Sequence, residues 1–486
     1  MRTSGAGPLV SSLFLCSLGC SAVAADVPGS GIAGAGAGGG APLLAGGSGA
    51  GAGPSATTAG AGGSSGSGND VAPGGPAGSL SAAGSGGAGG GGAGGVGGVG
   101  SAGGAGGVDG PDENGFVHPG ILLNRSMLDF VKAKLAASEQ PWKKALNAAS
   151  GSRFGSLSYT AKPHDNVQCG PSSNPDIGCS DEKDDVIAAY THALLWYYTG
   201  QKAHADKAIE IMNAWSAVLK KHTFDNEQLQ AAWCAEVFPR AAEIIRYTNA
   251  GWSKDDIARF ETMLKTAYLP EVKDGSTRTG NWDTSAIDAA MNIAVFLDDR
   301  AELDKTVALW KARTPAYIYL KSDGALPVQP PRETPRSSSS LKGYWFDPKQ
   351  FVDGLSQESC RDRPGGGTQG FGHAQYGVAA IINAAETARI QGIDLFSLEK
   401  TRLLAFMELH SKYMNGASTD ALCNTQIADV SPDPMWEIGY NAYAGVFATP
   451  MPQTLTLVQS MRPTGATHHM AWETLTHAGI GAVGLP

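Results

Sequence analysis

Four short stretches of this chain bring together residue types that move protons or hold an anion. The densest is Gln357-Glu358-Ser359-Cys360-Arg361-Asp362, followed further on by His373-Ala374-Gln375-Tyr376-Gly377 at the opening of a helical pattern. An arginine there can grip a carboxylate through two parallel hydrogen bonds. A histidine at a helix N-terminus feels the positive end of the dipole, stays neutral more readily and can accept a proton. Asp362 fits the part of a neighbour that orients Arg361. By residue type alone, His373 suits loop packing as well as chemistry.

The second stretch is Gly280-Asn281-Trp282-Asp283. Asn281 either caps a helix or offers a neutral amide to a carboxyl group. In the third, Trp436-Glu437-Ile438-Gly439-Tyr440-Asn441-Ala442-Tyr443, two tyrosines fall on one helical face, a spacing shared by core aromatics and by phenols that donate protons. The fourth holds Arg462-Pro463, then His468-His469 and Trp472-Glu473-Thr474-Leu475-Thr476-His477. Adjacent histidines point apart on any regular element, and no CxxC pair with zinc spacing occurs, so neither a metal nor another cofactor is expected.

These stretches sit in a chain that is two different polymers. Of 486 residues, 67 are Gly. More than half of those lie between Val27 and Val108, where Asp70 is the only charge. No aromatic residue occurs between Phe14 and Phe116. Such a segment has nothing to bury and reads as a disordered Gly/Ala/Ser-rich linker over residues 26–110. Residues 111–486 carry every Trp and nearly all charges, enough for one large folded domain.

Of the net charge of −9, that domain keeps −7 (35 basic against 42 acidic residues), because residues 1–110 contain only Arg2, Asp26, Asp70 and Asp109. Generalised binding of polyanions such as nucleic acid is therefore not expected, and Arg332, Arg336 and Lys342 form only a short basic cluster. No stretch of the domain runs for roughly 18 residues without charges or breakers, so a membrane span is not expected there.

At the N-terminus, Arg2 precedes an apolar run to Cys20, and Ala22-Val23-Ala24 is a small-x-small cleavage site, so residues 1–25 read as an export signal. Leu18-Gly19-Cys20 resembles the end of a lipobox, which leaves a lipid anchor at Cys20 open beside release. The expected location is periplasmic, outer-membrane-anchored or secreted. In an oxidising compartment, Cys169 and Cys179 are placed to bridge a loop, Cys360 and Cys423 to form a second disulfide, and Cys234 to be a buried thiol.

From Leu122 onward apolar residues recur three and four apart. The pattern predicts helices over 125–136, 184–199, 203–220, 227–246, 254–268, 284–296, 301–313, 375–391, 398–414 and 436–447, with little strand-like alternation. Paired helices without a fixed-period repeat fit an all-α fold, an (α/α) toroid or incomplete barrel. Three long loops, 162–183, 323–347 and 357–372, are candidate binding walls.

In order along the chain, His118-Pro119-Gly120, Ala188-Ala189-Tyr190, Leu195-Trp196-Tyr197, Asn213-Ala214-Trp215, Phe238-Pro239-Arg240-Ala241-Ala242-Glu243 and Gly280-Asn281-Trp282 precede the Arg361 and His373 motifs, the Tyr440 segment and the terminal His468-His469. Together these make residues 116–477 resemble the alginate lyase domain of bacterial uronate-polysaccharide lyases. The resemblance implies an α/α toroid and β-elimination on an anionic polysaccharide of the alginate or glucuronan type. It departs from the best-known toroid enzymes in having Trp282, not His, after Asn281, and in the spacing between Arg361 and His373.

Under this resemblance, Asn281 and Arg361 are expected to hold the substrate carboxylate. His373 is the expected base, and Tyr440 the acid or an alternative base. Trp282, Tyr344, Tyr443 and His469 are expected sugar contacts. A glycoside hydrolase using two of Glu236, Asp283, Glu358 and Asp362, or a non-catalytic glycan-binding surface protein, are the alternatives.

Overall fold

The computed structural model describes residues 110–171, 174–278, 280–361, 369–424 and 427–485. The export signal, most of the linker, Asp362 and the glycines at 365–367 lie outside them. The helices are α1 (Arg125–Ala136), α2 (Trp142–Gly151), α3 (Cys179–Thr199), α4 (Lys202–Val218), α5 (Glu227–Tyr247), α6 (Lys254–Met263), α7 (Leu269–Val272), α8 (Asn281–Phe296), α9 (Arg300–Tyr317), α10 (Ser338–Tyr344), α11 (Gly372–Ile390), α12 (Leu395–Leu398), α13 (Lys400–Met414), α14 (Trp436–Tyr440), α15 (Pro452–Met461) and α16 (Glu473–His477).

Burial sorts these helices into two layers. Every residue of α8 is buried, and so are most of those of α3, α5 and α11, with charged side chains such as Asp288 and Arg240 paired inside. By contrast α6 buries only Phe260 and Met263. Helices α3, α5, α8 and α11 are successive neighbours; α14 packs on α11 and α16, and α1 on α16 and α3, which closes the inner wall. Helices α4 and α9 cover α3 and α8 from outside. The fold is thus the expected all-α toroid, and the described residues belong to one compact unit.

The first turns of the inner helices meet at one end. Gln230 Nε2 donates to the Cys179 carbonyl at 3.0 Å, tying α5 to α3, and the Lys183 ammonium lies 5.7 Å from the Trp233 ring. Small sheets edge the same end. Strand β1 (Asn166–Cys169) pairs antiparallel with β2 (Asp176–Ile177) and parallel with β3 (Lys221–Thr223). Strand β4 (Gln369–Gly370) runs parallel to β5 (Ile427–Asp429), and β6 (Ala466–Thr467) with β7 (Met470–Ala471) forms a hairpin carrying His468 and His469 at its turn. Disulfides join Cys169 to Cys179 and Cys360 to Cys423, and Cys234 is a buried free thiol, as expected.

The helices depart from the periodicity at several points. Helix α8 begins at Asn281, not Thr284, because a distant carboxylate accepts its first N–H. Helix α9 passes through Pro315 to Tyr317, whose ring is fully buried. Helices α2, α10, α15 and α16 were not anticipated. Helix α2 is alanine-rich, and its N-cap Pro141 supplies no side-chain cap.

Candidate active site

The distant carboxylate is Glu358, fully buried at the start of α8. It accepts from the main-chain N–H of Asn281 at 2.6 Å, from Asn281 Nδ2 at 3.1 Å and from the Tyr317 hydroxyl at 2.7 Å, and it pairs with Arg361. A buried charge requires such compensation. Gly280 makes the approach possible: its φ is +68°, and a Cβ there would fall 1.9 to 2.2 Å from the carboxylate atoms of Glu358. Arg361 follows Cys360, which the second disulfide fixes, and its side chain is 18% exposed.

Tyr317 carries this assembly to α11. Its hydroxyl, 2.7 Å from Glu358, is also 3.4 Å from the His373 carbonyl oxygen. Burial, then the Glu358 charge, pushes this phenol well above its ordinary pKa, so it keeps the proton it donates. Gly377 admits the contact, since a Cβ there would lie 2.1 Å from the Tyr317 oxygen.

One turn beyond His373 a cluster of rings forms. The Tyr376 ring centroid is 6.2 Å from His373, 4.8 Å from His468 and 5.8 Å from Trp233, and Trp233 is 4.7 Å from His468. His373, Tyr376, His468 and Trp233 are all half-buried, and the Trp233 indole N–H has no protein partner. Burial, with Lys183 and His373 nearby, lowers the His468 pKa to about 4, so this imidazole is neutral at neutral pH. A cavity of about 260 Å³ opens beside it, lined by Arg153, Ser180, Lys183, Asp184 and Thr467 among others. A phenol, two imidazoles and an indole in one half-buried cluster, of which His468 lines the cavity, have the groups to stack a sugar ring and transfer protons to and from it.

The sequence-derived residues divide. Arg361 and His373 lie on either side of the Glu358 and Tyr317 assembly. Asn281 joins them, but fully buried, and its donors grip Glu358 in place of a substrate. Tyr440 lies elsewhere: it lines a cavity of about 410 Å³ with Trp142, Asn441 and Arg462, and Asn281, Arg361 and His373 are not in that wall. Tyr443 is fully buried and donates to the Phe396 carbonyl at 3.2 Å, so it is a core residue and not a sugar contact.

His469 is likewise buried, with Nε2 on the Tyr376 carbonyl at 3.1 Å and its own carbonyl accepting from Arg240 at 2.8 Å. It braces the backbone behind Tyr376. Tyr344 is buried under the Arg336 guanidinium, 4.0 Å from its ring centroid. Trp282 is 8% exposed beneath Arg278 at 4.3 Å. Tyr376, Trp233 and His468 were not among the expected site residues, although the spacing of Tyr376, one helical turn from His373, was a usable signal.

Of the carboxylates named for hydrolysis, Asp362 lies outside the described residues, and the other three are buried inside the protein. Asp283 accepts from Arg332 at 2.6 and 2.7 Å. Glu236 is fully buried, and burial with Asp288 beside it pushes its carboxyl well above the ordinary range. Asp112, His118 and Asp298 are close enough for a metal. However, both ring nitrogens of His118 already face carboxylates, Glu243 at 2.9 Å and Asp298 at 2.8 Å. Burial alone would lower the His118 pKa, but these partners raise it to about 8.

Comparison with known proteins gives a match of residues 180–419 to the family model of alginate lyase. Among solved structures, alginate lyase A1-III from Sphingomonas species A1 is 13% identical, with 74% of this chain and 97% of that one covered and a TM-score of 0.46. An alginate lyase from Bacteroides ovatus is also 13% identical, with 74% and 100% covered and a TM-score of 0.46. No curated protein matches the chain.

Proposed function

We propose, from the premise that residues 180–419 are an alginate lyase domain and the protein a polysaccharide lyase, that it cleaves a uronate polysaccharide of the alginate or glucuronan type by β-elimination. The observation that carries this reading is the cluster of Tyr376, His373, His468 and Trp233 beside the Arg361 and Glu358 pair. Elimination needs the sugar carboxylate neutralised, the C5 proton removed and the C4 oxygen protonated as it leaves.

In this reading Arg361 receives the carboxylate, and Asn281 acts through Glu358 by fixing the carboxylate that orients Arg361. His373 takes the C5 proton. The C5–H electrons form the C4=C5 double bond, and the C4–O bond breaks toward the departing sugar. Tyr376 delivers a proton to that oxygen, the role the sequence assigned to Tyr440. Trp233 stacks on a sugar ring, and neutral His468 accepts a hydrogen bond from the phenol or the sugar. Each positioned proton-transfer group is worth about two to four powers of ten in rate.

The engagement of Asp283 and Glu358 and the full burial of Glu236 favour elimination over hydrolysis by a carboxylate pair. Two disulfides support work outside the reducing cytosol. Among the described residues no helix is long and apolar enough to cross a membrane.

The test is ultraviolet absorbance after mixing the purified protein with alginate, glucuronan and glycosaminoglycans. Elimination leaves an absorbing unsaturated uronate end. New reducing ends without that absorbance would mean hydrolysis, and polymer binding with neither signal would mean a glycan-binding protein.

A further inference from the structure

The cavity at Tyr440 takes no part in the elimination just described, and its wall is unusual. Trp142, Tyr440, Asn441 and Arg462 face it together with Gln140, and its remaining lining is largely small: Ala444, Gly445, Ala478 and Gly479. Its volume of about 410 Å³ falls within the range of about 300–1,000 Å³ typical of small-molecule clefts. None of Trp233, His373, Tyr376 or His468 lines it.

Two donors in this wall lack acceptors. Trp142 is 7% exposed and Asn441 3% exposed, and neither Trp142 Nε1 nor Asn441 Nδ2 has a hydrogen-bond partner. A buried donor left unpaired is destabilising, so two in one wall call for an explanation. Asn441 is also fixed in orientation, because its Oδ1 accepts from the Gly481 N–H at 2.8 Å, which leaves the amide N–H₂ as the unpaired end. Asn441 opens the wider helical turn Asn441–Val446 that follows α14, the kind of irregular turn often found at functional sites.

The chemistry of the wall narrows the ligand. An indole N–H, an amide N–H₂, a phenol and a guanidinium are mostly donors, and the indole and phenol also offer ring faces. Arg462 is held in place by Glu437, with Nε 2.9 Å from Oε2. A ligand rich in acceptors, with a flat apolar face, complements such a wall; a pyranose bearing a carboxylate has both. We propose that this cavity is a second saccharide site that binds a short uronate oligosaccharide, the kind of molecule that elimination releases. The choice of an acid sugar rests on the proposed function; the existence of the site rests on the two unpaired donors.

The test reads the site directly. The indole N–H signal of Trp142, assigned by its loss in Trp142→Phe, is followed by nitrogen-edited NMR during titration with mannuronate and glucuronate disaccharides, with cellobiose as the neutral control. The expected result is a saturable shift with an acid disaccharide at roughly ten-millimolar ligand or below, retained in a Tyr376→Phe background. Asn441→Asp, which keeps the acceptor for Gly481 and replaces the donor by a charged oxygen, should weaken binding by roughly tenfold or more.

An unmoved Trp142 signal in the wild-type protein, an equal response to cellobiose, or unchanged affinity in a folded Asn441→Asp variant would each overturn the proposal. Turnover of polymer without any Trp142 response removes this site and leaves the lyase. A Trp142 response without turnover upholds the site and removes the proposed elimination.

Discussion

Asn281 and Glu358 lie 77 residues apart in the chain, yet both N–H donors of the asparagine, main chain at 2.6 Å and Nδ2 at 3.1 Å, converge on the one carboxylate. A helix N-terminus ordinarily finds its acceptor in a neighbouring Ser, Thr, Asp or Asn. Here the cap comes from the loop that also carries Arg361, so the start of α8 and the position of the guanidinium are set by the same contact.

Gly280→Ala tests that coupling. The added methyl would meet the Glu358 carboxylate at about 2 Å, and the residue sits at a φ of +68° that alanine disfavours. The expected cost is about 3 kcal/mol of stability, with polymer turnover lost beyond what partial unfolding explains. Thermal unfolding and activity measured on the same preparation check both; a variant as stable and active as the parent would show that Glu358 does not need to approach so closely.

Tyr376→Phe keeps the ring against His468 and Trp233 and removes only the hydroxyl. A loss of about 10² to 10⁴ in kcat/KM is expected, with little change in stability. The comparison with Tyr440→Phe decides between the two tyrosines: the Tyr440 variant should lose at least roughly tenfold less. Equal losses would return the proton donor's role to Tyr440.

His118 makes stability depend on pH. Its folded pKa of about 8 exceeds the ordinary 6.5, so the protonated ring stabilises the folded state. That contribution is fully present below pH 6.5 and disappears as pH rises through about 8; from the size of the shift it is about 2 kcal/mol. Chemical unfolding followed from pH 6 to 9 should show this loss in the parent and not in His118→Asn. Parallel curves for the two proteins would mean that His118 is not charged when folded.

Reduction should reach the site through Cys360. The bond to Cys423 closes a loop with a sequence separation of 63, worth about 4 kcal/mol on the chain-entropy account, and Cys360 is followed directly by Arg361. A Cys360→Ala, Cys423→Ala double variant is expected to unfold at lower temperature and to lose affinity for the anionic polymer before it loses structure. Unchanged KM in the folded double variant would separate the disulfide from the placing of Arg361.

Much of this protein was legible one residue at a time. Helical periodicity located α1, α5 and α13 closely because each repeats apolar residues at three and four. Cysteine spacing and loop composition identified both disulfides and the buried Cys234. The order of motifs around Asn281, Arg361 and His373 pointed to the lyase family. What the sequence could not rank was the tyrosines: Tyr376 and Tyr440 both follow helix starts and both have polar neighbours.

Only the folded chain separates them, setting Tyr376 against His468 on a hairpin from the far end of the chain and Tyr440 in the wall of another cavity. It also turns Asn281 from a substrate contact into a brace for Glu358, and buries Tyr443 and His469. Local spacing determines which face of a helix a side chain occupies. Which group stands opposite that face is decided by packing between segments tens to hundreds of residues apart, where a buried charge must find its donors.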